Sequence, residues 1–280
     1  MVEQLELRSG ARAAFLCANP QDKVKAVHAL WGEHAGLPLD TTAIFDTGVS
    51  PGRPVKPELV LPRDVPRRSP YTPDGHAALV HSITHIEFNA INLALDAAWR
   101  FAGMPPDYYR NWLQVAFEEA HHFTLLNEHL AAHGYAYGDF PAHDGLWTMA
   151  ENTRNDVTAR MALVPRTLEA RGLDATPLIQ TKLRKVGSAA ALQAVDILEI
   201  ILREEVGHVS IGNHWYHWLC ARDGHDSAAF HKQASALFGG PALKPPFNLE
   251  ARKRAGFSQQ ELDALPSGKP QIEKAVPGTV

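Results

Sequence analysis

Between residues 74 and 222 the sequence carries four long runs of helical periodicity, each closed by a glycine or proline signal. The first spans 74–102, opened by Asp74 and stopped by Gly103, with Pro105 and Pro106 behind it. The second spans 106–133 and ends at Gly134. The third spans 144–171, with Asp144 as its cap and Gly172 as its stop, and Pro165 inside it should kink it. The fourth spans 188–222, ends before Gly224, and follows a short helix near 177–186. A run of about 28 residues makes a rod of roughly 40 Å at about 1.5 Å per residue. Four such rods, joined mostly by short connections, predict an antiparallel four-helix bundle. No segment sustains a period of two, so the expected class is all-α with little or no sheet.

The flanks read differently. Residues 19–35 predict a short helix that Asn19 caps, Pro20 opens and Gly36 ends. Seven prolines between positions 51 and 73 then force an extended arm, whose Leu59, Val60 and Leu61 suit it to lie on a core. After the fourth rod, Ser258 and Glu261 have capping-box spacing in a short tail helix. The last dozen residues are expected to be loosely held. The expected organisation is an N-terminal helix and arm over 1–73, a bundle over 74–224, and a C-terminal extension over 225–280.

Composition narrows the function. Forty-five per cent hydrophobic and 21% charged residues describe a globular protein, and the net charge of −4 supplies no global field for nucleic acid or anionic membrane. The basic clusters Lys182–Arg184–Lys185 and Arg252–Lys253–Arg254 read as solvated surface. The two cysteines, Cys17 and Cys220, are far apart and form no CxxC, which fits a reducing cytoplasm. The first residues, MVEQLELRSG, do not read as a signal peptide, and no run approaches a membrane span. Phosphate-loop and nucleophile-elbow motifs are absent.

The chemistry concentrates in Glu-x-x-His. Three such spacings occur, Glu118–His121, Glu119–His122 and Glu205–His208, and sixteen glutamates with fifteen histidines would give about one by chance. Placement separates them. Residues three or four apart share a helix face. Glu119 and His122 share theirs with Trp112, Val115, Leu126 and Leu130. Glu205 and His208 share theirs with Leu198, Ile201, Leu202 and Val209. Glu118 and His121 lie toward the wet side.

On the first helix Glu87 sits among Val80, Ile83, Ala90, Ile91 and Ala94, with no Lys or Arg nearby. The third helix offers Glu151, Asp156 or Glu169; Glu169 is preferred because Ala162 and Pro165 share its face. Burying unpaired carboxylates costs several kcal/mol each. A pair of divalent cations removes that cost, and carboxylate with imidazole suits iron, manganese or zinc. Asp196 and Glu199 are candidates to hold the ligand imidazoles from behind, or to be solvated. His81, His85 and His129 read as structural, and Trp215, Tyr216 and Trp218 read as core.

Glu on helix one, Glu-x-x-His on helix two, Glu on helix three and Glu-x-x-His on helix four resembles the ligand pattern of the ferritin-like di-iron carboxylate superfamily. In detail "EEAHHFTLLNEHL", "REEVGHVSIGNHW" and the tail "KPPFNLEARKRAGFS" look like a bacterial branch of it, similar also to tRNA-modifying di-iron monooxygenases. The resemblance covers about half the chain. It implies a ferritin-like four-helix bundle with Glu87, Glu119, His122, Glu169, Glu205 and His208 as ligands to two iron ions, with manganese or a mixed pair as alternatives. It implies an O2-activating oxidase or monooxygenase, with metals roughly 3.5–4 Å apart, acting on a small-molecule or RNA substrate. An external electron donor is then expected, since no flavin or iron–sulfur motif is visible. Iron storage without catalysis and RNA hydroxylation are the alternatives. A monomer or small homo-oligomer would favour an enzyme over a storage shell.

Overall fold

The structure, a computed structural model, describes residues 6–266. It is all-helical: no strand occurs among the described residues, and Leu59 and Ala142 make an isolated bridge. In chain order the helices are α1 (Leu7–Leu16), α2 (Pro20–Glu33), α3 (Pro73–Arg100), α4 (Pro106–Ala132), α5 (Gly145–Asn152), α6 (Val157–Leu163), α7 (Ala170–Val186), α8 (Ala189–Asp223), α9 (Ser227–Phe238), α10 (Leu249–Arg254) and α11 (Gln259–Asp263). A π-helical segment, Val164–Glu169, joins α6 to α7.

The long helices begin where sequence chemistry says they should. Thr72 caps α3 by accepting from the Gly75 N–H, with Pro73 in the first turn. Ser188 caps α8, and Gly187 ends α7 in the left-handed conformation at φ 70°. The apolar stripe of α3 packs along α4, that of α7 along α8, and α4 also meets α8. α1 rests on α3, and α2 on α4. One apolar core lies around Trp99, Tyr108 and Trp112, another around Val80, Leu126, Leu130 and Leu198. The acidic cluster lies where α3, α4, α8 and the π segment converge.

The third rod departs from expectation. Instead of one helix over 144–171, the chain forms α5, a turn, α6 and the π segment, and Gly172 lies inside α7 rather than at a stop. Asp144 does not cap α5 with its side chain, because its carboxylate takes Arg53 at 2.6 Å. At Pro165 the missing N–H and the ring forbid regular α winding, and the chain loosens into the π segment. Gly212 on α8 makes room for it. A Cβ built there would fall 2.4 Å from Cβ of Pro165.

The C-terminal residues brace this segment. Arg166 donates to Asn213 at 2.5 Å and pairs with Glu261 of α11. Thr167 meets Nε2 of His231 on α9 at 2.9 Å. The capping box of Ser258 and Glu261 forms. Arg252 corrects the surface reading of its cluster: it is buried and pairs with Asp174 at 2.6 Å. α1 and α9 are helices that periodicity did not signal. The expectation for the last dozen residues lies outside the described residues.

Candidate metal centre

Four side chains from three helices meet in the interior. Glu87 of α3, Glu119 and His122 of α4 and Glu205 of α8 each offer a ligand atom, and these atoms all lie within 4.8 Å of one another. All four are buried. Such a group could hold a metal ion. His208 of α8 borders it, with Nδ1 2.9 Å from Glu119 Oε1 and 3.8 Å from Glu205 Oε1. On the other side, Nδ1 of His122 lies 3.4 Å from both Glu87 Oε2 and Glu119 Oε2. The imidazole centroids stand 5.7 Å apart, with Glu119 between them. Glu169, at the end of the π segment, is buried and close enough to Glu205 and Glu119 to feel their charge.

Several of these atoms have nothing to bond. Oε2 of Glu87, Oε1 of Glu119, Oε2 of Glu169, Oε2 of Glu205 and Nδ1 of His208 are buried and make no hydrogen bond. Nδ1 of His208 and Oε1 of Glu119 are close enough for one, but they are not aligned on each other. None of the four carboxylates pairs with Lys or Arg among the described residues. Buried polar groups left this way cost about 1–3 kcal/mol each, and charged ones cost more. A cation held by Glu87, Glu119, His122 and Glu205 would offset the cost for the carboxylates it touches.

The outer ring nitrogens are fully used. Nε2 of His122 donates to Glu204 at 2.9 Å, and Nε2 of His208 donates to Glu118 at 2.7 Å. Each imidazole therefore turns Nδ1 toward the cluster, and each carboxylate behind it fixes the ring. The exchange is reciprocal: α4 supplies the partner for the histidine of α8, and α8 the partner for that of α4. Glu118 and Glu204 were not singled out by the face argument, which placed Glu118 toward water. The available signal was the doublet. Both motifs read Glu-Glu-x-x-His, at 118–122 and at 204–208. Asp196 and Glu199, the candidates for this role, are exposed, and Glu199 pairs with Arg184 at 2.8 Å. Of the other third-helix candidates, Glu151 pairs with Arg154 and Asp156 caps α6.

The remaining histidines are placed as structure. His81 accepts from Gly138 N–H at 2.9 Å, His85 meets the Tyr137 hydroxyl at 2.8 Å, and His129 faces His76 at 3.3 Å. His121 is exposed.

Residues 16–263 match the family described as a protein of unknown function, DUF455. The chain belongs to the DUF455 family. An uncharacterized protein of Haemophilus influenzae is 47% identical to this DUF455 chain, over 89% of the chain and 90% of its own length. No solved structure matches.

Burial sets the charge state of the DUF455 cluster when no ion is bound. Burial, then the neighbouring Glu205 and Glu119, push the Glu169 carboxyl up from 4.5 to about 8. Burial and Glu119 likewise raise Glu87 and Glu205. Burial opposes charge on His122 and His208, but the carboxylates around them outweigh it and hold both rings well above 6.5. Burial also opposes the charge of Glu119, yet the two imidazoles hold it below the usual carboxylate range. Hydrogen bonding from His122 holds Glu204 down to about 2.

A stability trend follows. The folded metal-free protein keeps the Glu169 proton to about pH 8, whereas the unfolded chain releases it near 4.5. Over that window the native state binds more protons, so stability falls as pH rises. The histidines act in the same direction. The stability they contribute is complete below 6.5 and is lost as pH climbs through their raised folded values. Glu119 opposes them only below its unfolded value of 4.5. Chelated protein should lose on the order of 2 kcal/mol between about pH 5.5 and about pH 7.5. Differential scanning calorimetry should show Glu169→Gln flattening that slope; an unchanged slope would place the titration elsewhere.

Proposed function

We propose that this chain is a dinuclear metal protein of the ferritin-like di-iron carboxylate type, acting as an O2-activating oxidase or monooxygenase. The observation that carries the proposal is the set of buried, bond-less carboxylate and imidazole atoms that face one another without a neutralising Lys or Arg. On this reading Glu87, Glu119, His122, Glu169, Glu205 and His208 hold the metals. α3, α4, the run from α5 to α7, and α8 are the four members of the bundle. Residues 1–73 form the N-terminal helix and proline-rich arm packed on the bundle, 74–224 the bundle, and 225–280 the extension.

Two iron ions, or manganese in one or both positions, would supply O2 activation and oxidising power. The rest falls to the protein. Glu118 and Glu204 keep the N–H of each imidazole on Nε2, so that Nδ1 stays free for the interior. Apolar walls exclude bulk water, which would otherwise compete for the site. The cluster lies at the floor of a cleft of about 750 Å³, onto which Glu87, Glu169 and Glu205 open, so a substrate can reach it. Electrons would come from a separate donor protein.

No helix among the described residues is long and apolar enough to cross a membrane. Cytoplasmic residence, as a monomer or small homo-oligomer, is part of the proposal.

The direct test is metal analysis of protein expressed with iron, together with O2 uptake under a chemical reductant. About two metals per chain are expected, falling sharply in Glu205→Ala, with uptake falling in parallel. A wild-type protein without bound metal would end the reading.

A further inference from the structure

The cleft that opens on the carboxylates is apolar in most of its walls, and among the described residues its lining holds one arginine and no lysine. Ile83, Ile86, Met149, Leu168, Leu198 and Ile201 line it around Glu87 and Glu205. Two apolar side chains on it stay open to solvent, Ile86 at 45% exposure and Leu61 of the proline-rich arm at 54%. Holding isoleucine and leucine against water costs free energy that an apolar occupant would return. A volume of about 750 Å³ falls in the range, about 300–1,000 Å³, that buries a drug-sized ligand.

Polar groups on this lining are mostly committed. Asp144 takes Arg53, and Asn152 donates to the carbonyl of Phe238. Arg171, half-buried on the first turn of α7, makes no hydrogen bond or ion pair among the described residues. A guanidinium beside an apolar cleft binds a carboxylate or phosphate through charge-assisted, bidentate hydrogen bonds. Beside it Gly172 also lines the cleft, and a Cβ added there would meet nothing within 4 Å. A glycine in the first turn of α7, with open space in front of it, keeps the cleft wide at that point.

We propose that the substrate is an amphiphile, an acyl-like apolar body ending in one carboxylate or phosphate, with the body against Ile86, Leu198 and Ile201 and the anionic end on Arg171. This rests on the reading of the cluster as a reaction centre, but the binding itself does not need the metals. The cleft does not suit RNA. Among the described residues its lining offers one arginine instead of a basic track, and no Phe, Tyr or Trp platform for bases.

The test uses the full chain, with metal content determined on the same preparation. Decanoate, decyl phosphate, 1-decanol and adenosine monophosphate are titrated by calorimetry. Decanoate or decyl phosphate should bind roughly ten-fold more tightly than 1-decanol, and adenosine monophosphate should not bind. Which of the two anions binds better separates a carboxylate from a phosphate end. Arg171→Ala should bring the anions down to the level of the alcohol and leave the alcohol unchanged.

Gly172→Leu should narrow the cleft and weaken all three alkyl probes at least ten-fold. It should fold at least as well as the wild type, since glycine is a poor helix former and a Cβ at this position meets nothing within 4 Å. Equal binding of acid and alcohol, preferred binding of the nucleotide, or a Gly172→Leu protein that binds as before would each overturn the proposal. Metal-loaded protein that binds no alkyl probe overturns the substrate class and leaves the metal centre standing. Metal-free protein that still discriminates decanoate supports the cleft and removes the metal centre.

Discussion

If the cluster holds two metals as proposed, replacing Glu119 with glutamine should cost the protein both, whereas Glu87→Gln and Glu169→Gln should each cost one. Glu119 is buried between the two imidazoles. Its Oε1 lies 2.9 Å from Nδ1 of His208, and its Oε2 lies 3.4 Å from Nδ1 of His122. Glu87 approaches His122 at 3.4 Å, and Glu169, at the end of the π segment, lies near enough to Glu205, Glu119 and His208 to feel their charge. An amide at position 119 offers one neutral oxygen and an NH2 where two charged oxygens stood, so one half loses its ligand outright and the other exchanges a charged ligand for a weaker neutral one. Glu118→Gln and Glu204→Gln touch only the outer ring nitrogens and should weaken retention by about 10–100-fold without abolishing it.

Stability of the chelated proteins should move in the opposite order. Burial and like charge already keep Glu87 and Glu169 toward the protonated state. Glutamine resembles that state, so these two variants should gain about 1–2 kcal/mol at neutral pH, or a few degrees in Tm. Glu119 is charged and held by two imidazoles, so Glu119→Gln should lose stability without metal as well as with it. Plasma-source mass spectrometry and calorimetry of the same samples check both series. A Glu119→Gln protein that keeps one metal, like Glu87→Gln, would show that its two oxygens do not serve two ions.

Which parts of this arrangement could be read from the sequence depended on how local each cause was. The boundaries of α3, α4 and α8 follow from caps, prolines and glycines within a few residues of each end, and they fall within two residues of expectation. The inward placement of Glu119 and His122, with His121 left in water, was legible because helical faces follow from spacing alone. What escaped was set by partners distant in the chain. A disturbance at Pro165 was legible, but the earlier break between α5 and α6 and the seating of Pro165 against Gly212 of α8 are encoded by no local rule. Arg252 looked like part of a basic surface run until Asp174, far off in the sequence, buried it.

The acids behind the imidazoles were misjudged for a similar reason. Glu118 sits on the wetter side of its own helix, and one helix cannot reveal that α8 packs against that side. Asp196 and Glu199 precede His208 on one rod, yet each histidine takes its partner from the opposite rod. Comparing the two motifs residue by residue, Glu-Glu-x-x-His against Glu-Glu-x-x-His, carries information that neither carries alone.

Removing Asp96 should be the most damaging single change away from the metals. Its side chain is fully buried on α3. Oδ1 accepts from Arg100 at 2.7 and 2.8 Å, and Oδ2 accepts from Arg160 of α6 at 2.5 Å. Arg160 also donates to the Thr153 hydroxyl at 2.9 Å, and Arg100 to the carbonyl of Thr47 at 2.9 Å. One carboxylate thus joins α3, the end of α5, α6 and the residues before the arm.

Asp96→Ala would leave two guanidiniums in the interior without a counter-charge, a loss of about 3–5 kcal/mol. For a chain of this size that is on the order of 10 °C in Tm. The damage should also reach the metal centre, because α6 runs directly into the π segment that carries Glu169. On the proposed dinuclear reading, the variant should therefore hold the metal on the His208 side less tightly while keeping the one beside Glu87. Asp96→Asn should fall between the two, since it keeps the shape and one acceptor but not the charge. Calorimetry with a metal count on the same preparations checks this. A Tm within about 2 °C of wild type would mean that both arginines reach water when their carboxylate is gone, and that the third rod is held in place by packing against α8 alone.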